Sequence, residues 1–151
     1  MTETDPTPTT QSYAPWFARV AAAVLDSLPV GILFWTLVAL FGESQTTSTS
    51  FSFQLSGLPF LVYLVGALGW FGYNWLLLQG TRGQSLGKRA LGIAIHRAGT
   101  SEPLGPGLTL ARQLAHLVDA IPFGIGYLWP LWDRENRTFA DIMVGSRAHR
   151  V

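Results

Sequence analysis

Residues 16–41 read WFARVAAAVLDSLPVGILFWTLVALF. From Val20 to Phe41 this stretch holds 22 residues and one charge, Asp26. At about 1.5 Å of helical rise per residue, that length crosses the roughly 30 Å hydrocarbon layer of a bilayer. A helix that is apolar all round must be covered on every side, by protein or by lipid. At 151 residues the chain is at most one domain, and a domain that small buries only a limited share of its surface. Hydrophobic residues make up 48% of it and charged residues 13%, roughly half the charged share of a soluble domain. Lipid is therefore the expected cover. The formal net charge of +1 argues against a nucleic-acid binder, which needs a concentrated basic face. The chain has no cysteine, which excludes disulfides, thiolate nucleophiles and Cys-based zinc sites.

Upstream, Met1–Pro15 is rich in Thr and Pro, has nothing to bury, and is expected to be a disordered arm. It lacks the basic start of a secretory signal, so cleavage is not expected. Downstream, Leu58–Leu78 is a second apolar run, of 21 residues without a charge. Its Gly66, Gly69 and Gly72 allow another helix to approach closely. A third apolar segment, Leu108–Trp132, contains Arg112, His116 and Asp119 and is broken at Pro122, Gly124 and Gly126. The expected fold is an all-α membrane protein. It has two full transmembrane helices, over about 16–41 and 58–78, and a third Pro/Gly-broken segment over 108–132, re-entrant or kinked. A kink is also expected at Pro29 and Gly31.

Charge bias sets the expected orientation. The Ser/Thr-rich loop 42–57 has no Lys or Arg, whereas loop 79–107 has Arg82, Lys88, Arg89 and Arg97. The N-terminal arm and the second loop are expected in the cytoplasm. The tail 133–151 carries Arg134, Arg137, Arg147 and Arg150 and belongs there too, which three complete spans would forbid. A re-entrant third segment removes the conflict; the alternative is an ordinary span that violates the rule. Within the second loop, Leu86–Ile95 is amphipathic enough to lie on a membrane surface.

The first and third segments repeat each other. Residues 17–32 read FARVAAAVLDSLPVGI and residues 110–125 read LARQLAHLVDAIPFGI, with seven of 16 positions identical at an offset of 93. Arg19 and Arg112, Asp26 and Asp119, Pro29 and Pro122, and Gly31 and Gly124 all fall in register. A charge left unpaired at mid-membrane costs about 2.5–3.5 kcal/mol on insertion scales, so these groups need partners. The expected pairs cross between repeats, Arg19 with Asp119 and Arg112 with Asp26. Such charges act either as packing staples or as the midplane site of a transporter built from repeats.

Three stretches resemble the RDD family of small bacterial membrane proteins, which is named for one Arg and two Asp. Arg19 followed by Asp26 resembles the family's opening. The loop Gly83-Gln84-Ser85-Leu86-Gly87-Lys88-Arg89-Ala90-Leu91-Gly92-Ile93 resembles its G-Q-[ST]-x-G-K-[KR]-x-x-G-[IL] stretch. The tail, with Asp133, Arg137, Asp141 and Gly145, resembles its D-x-x-x-R-[TG]-L-H-D-x-x-A-G-T ending. Asp119 and Asp141 both qualify as the second Asp. The chain departs from the pattern at Phe139, Ala140, Val144 and Ser146, and the missing His at Ala140 weakens a proton relay through the tail. The resemblance implies a multi-pass protein of the bacterial inner membrane. Some members are cation/proton antiporters, and others look like accessory proteins beside larger systems.

Other chemistry fits poorly. The 83–89 loop has three residues between its glycines and Arg after its Lys, unlike a phosphate-binding P-loop. Its Lys88 and Arg89 are expected to meet anionic lipid headgroups at about 1 kcal/mol each. His96, His116 and His149 lack metal spacing. His116, four residues after Arg112 and three before Asp119, suits either an interior hydrogen bond or a proton-linked switch. Ser85 has no catalytic partner motif, and Trp70, Trp75, Trp129 and Trp132 read as interface anchors. The expected protein is not an enzyme and holds no cofactor or metal. It is an accessory or scaffold subunit with a membrane-protein partner or a second copy. The competing expectation is a cation/proton antiporter using Asp26 and Asp119, although neighbouring arginines neutralise such a site.

Overall fold

The computed structural model describes residues 12–46, 51–121 and 123–151. Met1–Gln11 of the expected arm and the break at Pro122 lie outside the described residues. Two helices are long and apolar enough to cross a membrane, α1 (Trp16–Phe41) and α2 (Gly57–Arg82). They are joined through an antiparallel pair, β1 (Glu43–Thr46) and β2 (Phe51–Gln54). α2 runs one turn beyond the expected end at Leu78 and stops at Gly83, whose φ of 71° breaks the helix. Within α2, Phe71–Leu78 is π-helical. Then follow α3 (Leu86–Ala90), β3 (Ile93–Arg97), α4 (Gly105–Ala120), α5 (Ile125–Leu128) with a 3₁₀ turn at Trp129–Leu131, α6 (Phe139–Val144) and β4 (Ser146–Arg150).

The membrane helices expose apolar side chains and bury polar ones. Leu58, Val65, Ile121 and Phe123 are exposed, whereas Asp26, Asn74, Gln79, Arg112, Asp119 and Asp141 are buried. Water would reverse that arrangement, and hydrocarbon imposes it. The third segment is sharply bent: the axis of α4 and that of 125–131 differ by 108°. The tail returns to the end of the molecule where α2 finishes, because β4 pairs antiparallel with β3.

Three expectations need correction. The chain is mostly helical but not all-α, since it contains two antiparallel strand pairs. Leu86–Ile95 is not one surface helix. Gly92, at φ 60°, ends the helical path, and Ile93 and Ile95 enter a buried strand, where β-branched side chains pack well. The expected disordered arm ends too late: Ala14 is fully buried and donates to the Ala148 carbonyl (2.8 Å), and Arg150 N–H donates to Ser12 (2.9 Å).

The fold extends the sequence repeat into the loop and the tail. After α1 comes the short helix α3 and strand β3; after α4 comes α6 and β4. Aligned at an offset of 53, Gly83 matches Asn136, both with positive φ (71° and 52°), and Gly92 matches Gly145 (60° and 64°). Ser85 and Thr138 cap their helices in the same way, accepting from Lys88 N–H (3.4 Å) and Asp141 N–H (3.2 Å). The strand register is symmetric. Ile95 faces its equivalent Ala148, and the flanking pairs Ala94–His149 and His96–Arg147 exchange under the equivalence. Val151 N–H bonds the Gly92 carbonyl (3.0 Å), just as Ala98 N–H bonds that of Gly145 (2.8 Å). The chain is thus a duplicated unit folded about a local twofold at Ile95 and Ala148. The copies differ in their return: 50 residues separate Ile32 from Gly83, but 10 separate Ile125 from Asn136. The second copy has no room for a full span and turns back.

Candidate functional site: a buried carboxylate network

Each Asp of the repeat receives the first turn of the short helix in its own unit. Asp26 lies mid-way along α1, and its Oδ1 accepts from Gly87 N–H (2.7 Å) and Asn74 Nδ2 (2.8 Å). Its Oδ2 accepts from the Ser85 hydroxyl and lies 3.9 Å from Lys88 Nζ. Asn74 fits because its Oδ1 also accepts from Leu86 N–H (2.8 Å), so one amide joins α2 to both α1 and α3. It sits in the π-helical stretch, where the altered turn re-aims side chains. A Cβ at Gly87 would collide with the Ala22 carbonyl. The two glycines of the 83–92 loop that matter most are therefore there for different reasons: Gly87 for close approach, Gly92 for its left-handed backbone.

Asp119 repeats the pattern in weaker form. Its Oδ1 accepts from Ala140 N–H (3.3 Å), the counterpart of Gly87, and its Oδ2 accepts from His116 Nδ1. Tyr127 stacks on the His116 ring (5.5 Å between centroids) and donates to the His116 carbonyl (3.0 Å). Gly126 packs so closely on Asp119 that a Cβ would overlap it.

The arginines do not pair across the repeats as expected. Both reach Asp141 on α6, which is buried. Arg112 Nε donates to its Oδ1 (2.8 Å) and Arg19 to its Oδ2, while Ser146 Oγ (2.8 Å) and Thr138 N–H (3.2 Å) complete the shell. Arg19 also donates to the Asn136 carbonyl. Between the two candidates for the family's second Asp, Asp141 is the one held by arginine. Burial alone would raise the Asp141 carboxyl, but Arg112 and Arg19 outweigh it and hold it well below the usual carboxylate range. Lys88 occupies the position equivalent to Asp141. Burial, then the Arg112 guanidinium, pushes its ammonium from 10.5 down to about 7, with Asp26 opposing. Lys88 is thus turned inward, and Arg89 is the outward cation of that motif. In the tail, Arg137 donates twice to Asp133 (2.8 Å each) and lowers that carboxyl to about 2.

The model of the RDD family matches residues 13–145. The chain belongs to the RDD family. That span of this RDD protein takes in every buried acid and arginine of the network. It is 36% identical over 147 residues to the proline-rich antigen homolog of Mycobacterium tuberculosis, covering 87% of this chain and 61% of that protein. It is 32% identical over 149 residues to the proline-rich antigen of Mycobacterium leprae, covering 87% and 58%. The chain thus spans about three fifths of the length of the relatives it matches. No solved structure matches it.

Asn74, Ser85, Thr138, Ser146 and Gly126 belong to the network although none was singled out as a member by its sequence. Asn74 had a signal, as a strongly polar side chain inside the charge-free run 58–78. Ser85, Thr138 and Ser146 stood within the loop and tail motifs and Gly126 in the break of the third segment, but nothing in the sequence tied them to the buried acids.

One acid answers two cations, which ranks the variants. Asp141→Asn should cost more than either Arg19→Gln or Arg112→Gln, about 3–5 kcal/mol, because it strands two buried guanidiniums. Adding Arg112→Gln to Asp141→Asn should recover part of that loss. Chemical unfolding in detergent measures both, and strictly additive losses would contradict the shared site. A second test concerns Lys88. Between pH 7 and about 10 the unfolded chain keeps the proton that the folded chain has released, so stability should rise with pH. Unfolding midpoints across that range should climb, and Lys88→Met should flatten the climb.

Proposed function

We propose that this RDD protein is a non-enzymatic accessory or scaffold subunit of a larger system in the bacterial inner membrane, with both termini in the cytoplasm. The observation that carries this reading is the state of the buried acids. Asp26 accepts from three donors with the Lys88 ammonium 3.9 Å away, and Asp141 is held by two arginines, a serine and a backbone N–H. Carboxylates satisfied in this way build a rigid core and have little capacity to take up and release a cation. An apolar groove of about 690 Å³ along α1, walled by Leu28, Gly31, Ile32, Trp35 and Leu40, supports the second half of the proposal. It offers another membrane helix a surface, and Gly31 permits close approach. The orientation rests on the excess of Lys and Arg in loop 79–107 and the tail, which lie at one end of the molecule.

One observation favours the competing antiporter reading. Asp119 has no arginine partner among the described residues; its carboxylate is hydrogen-bonded to His116 and the Ala140 N–H. An acid beside a histidine, with no arginine to neutralise it, is the arrangement that reading requires. Reconstitution separates the two readings. Under the accessory reading, liposomes containing the protein should not dissipate a pH gradient on addition of Na⁺, K⁺ or Li⁺. Asp119→Asn should then lower the yield of folded protein or the recovery of a co-purified membrane partner. Cation-driven proton flux in the wild type, lost in a monodisperse Asp119→Asn variant, would reverse the assignment.

A further inference from the structure

Five of the ten Lys and Arg side chains are answered by acids of the same chain. Arg19 and Arg112 have Asp141, Lys88 has Asp26, Arg137 has Asp133 and Glu135, and Arg147 has Glu135. Arg82, Arg89, Arg97, Arg134 and Arg150 have no such partner among the described residues, and of these Arg82 and Arg89 line one cavity. Both are exposed, and neither side chain makes a hydrogen bond or ion pair among the described residues. They flank a cavity of about 290 Å³ completed by Leu78, Gln84, Ser85 and Leu86.

The internal duplication supplies a comparison within the same chain. At the offset of 53, Arg82 corresponds to Glu135 and Gln84 to Arg137. In the second unit Glu135 is the anion that binds Arg137 (3.2 Å) and Arg147, so that corner is closed by its own carboxylate. In the first unit the residue at that position is itself a cation. The corner is left with two guanidiniums, an amide and no acid.

We propose that this cavity binds a phosphate group carried by an external ligand, either the headgroup of an anionic phospholipid or a free phosphate ester. Three features fit that chemistry. Guanidinium forks match the oxygens of a phosphate in two-point contact. The two arginines are held on separate rigid elements, Arg82 at the last turn of the membrane helix α2 and Arg89 on α3 beyond the Gly83 break. Leu78 and Leu86 give the cavity an apolar wall beside its polar one, which suits a phosphate that is the polar end of a greasy molecule. The proposal rests on neither the accessory nor the antiporter reading, because its two cations, Arg82 and Arg89, pair with none of Asp26, Asp119 or Asp141.

The test uses the full chain, purified in neutral detergent and stripped of lipid. Native mass spectrometry and thermal unfolding follow the addition of dioctanoyl-phosphatidylglycerol or of sodium phosphate. Wild-type protein should hold a phosphatidylglycerol adduct and unfold at a higher temperature with it. The Arg82→Gln/Arg89→Gln pair should weaken that binding roughly 30-fold, from about 1 kcal/mol per cation. The equally charged control, Arg97→Gln with Arg134→Gln, should leave it intact, since both residues are exposed and lie outside the cavity. Should the double variant not fold, Arg89→Gln alone carries the comparison at an exposed position. Binding of phosphatidylglycerol without inorganic phosphate would make the ligand a lipid headgroup. Equal protection by inorganic phosphate, lost in the same variants, would make it a soluble phosphate ester. The site is refuted if wild-type protein binds neither probe, or if the control variants lose as much as the cavity variants.

Discussion

A single carboxylate between two guanidiniums sets the terms for the rest of this structure. Asp141 comes from the tail, Arg19 from the first membrane helix and Arg112 from the third segment, and all three are removed from water. Charges that deep must be answered by groups already in place, since neither lipid nor water can do it for them. Meeting that demand fixes the tail against both repeats. It also explains the strand pair, because α6 and β4 must return to the start of α1 and α4 for Asp141 to reach the arginines. Breaking the contact would leave two cations buried with no acid nearby, which makes the contact compulsory whatever its net contribution to stability.

The duplicated unit shows how the demand is shared. In each copy an Asp on the membrane helix accepts an N–H from the first turn of the short helix that follows, Gly87 for Asp26 and Ala140 for Asp119. The next position in that turn differs in sign, Lys88 in one copy and Asp141 in the other. A fully symmetric pair would leave two arginines facing two lysines, or two acids with an arginine each. The difference in sign lets one copy supply the acid for both arginines while the other supplies a cation for Asp26. The shortened return in the second copy leaves Asp119 in a lighter shell, beside His116 and Tyr127, and among the described residues it is the buried acid with no Lys or Arg partner.

The membrane character and the repeat were legible in the residues, because apolar length and the in-register Arg, Asp and Gly are properties of the chain alone. The bent third segment was legible too, through Gly124, Gly126 and the basic tail that three spans would have put on the wrong side. The cross-pairing of the repeat was misjudged for a physical reason. Geometry within two helices suggested that their opposite charges meet, while the true partner lay in a tail whose path depends on the β3–β4 register. Those strands were missed because Leu86–Ile95 reads as helix until Gly92 adopts its left-handed backbone. The extension of the repeat into the tail was invisible for another reason. Between 83–97 and 136–150 only Gly92, His96 and Arg97 are identical to their counterparts, so the likeness lies in caps, turns and register.

Loop and tail are equivalent halves of one sheet, paired at Ile95 and Ala148. Because the chain has no cysteine, a disulfide can be introduced there without background. Ile95 and Ala148 are directly opposite in the antiparallel register, and their outward N–H and carbonyl bond Gly83 and Ala14, so they form a close, non-hydrogen-bonded pair. An Ile95→Cys/Ala148→Cys variant, oxidised mildly in native membranes, should close an intramolecular disulfide in most of the molecules, and Ile95→Cys paired with Ser27→Cys should not. A doubly cysteine-substituted protein that stays folded and monodisperse yet never cross-links, with its tail thiol labelled from the opposite side of the membrane to its loop thiol, would contradict the account.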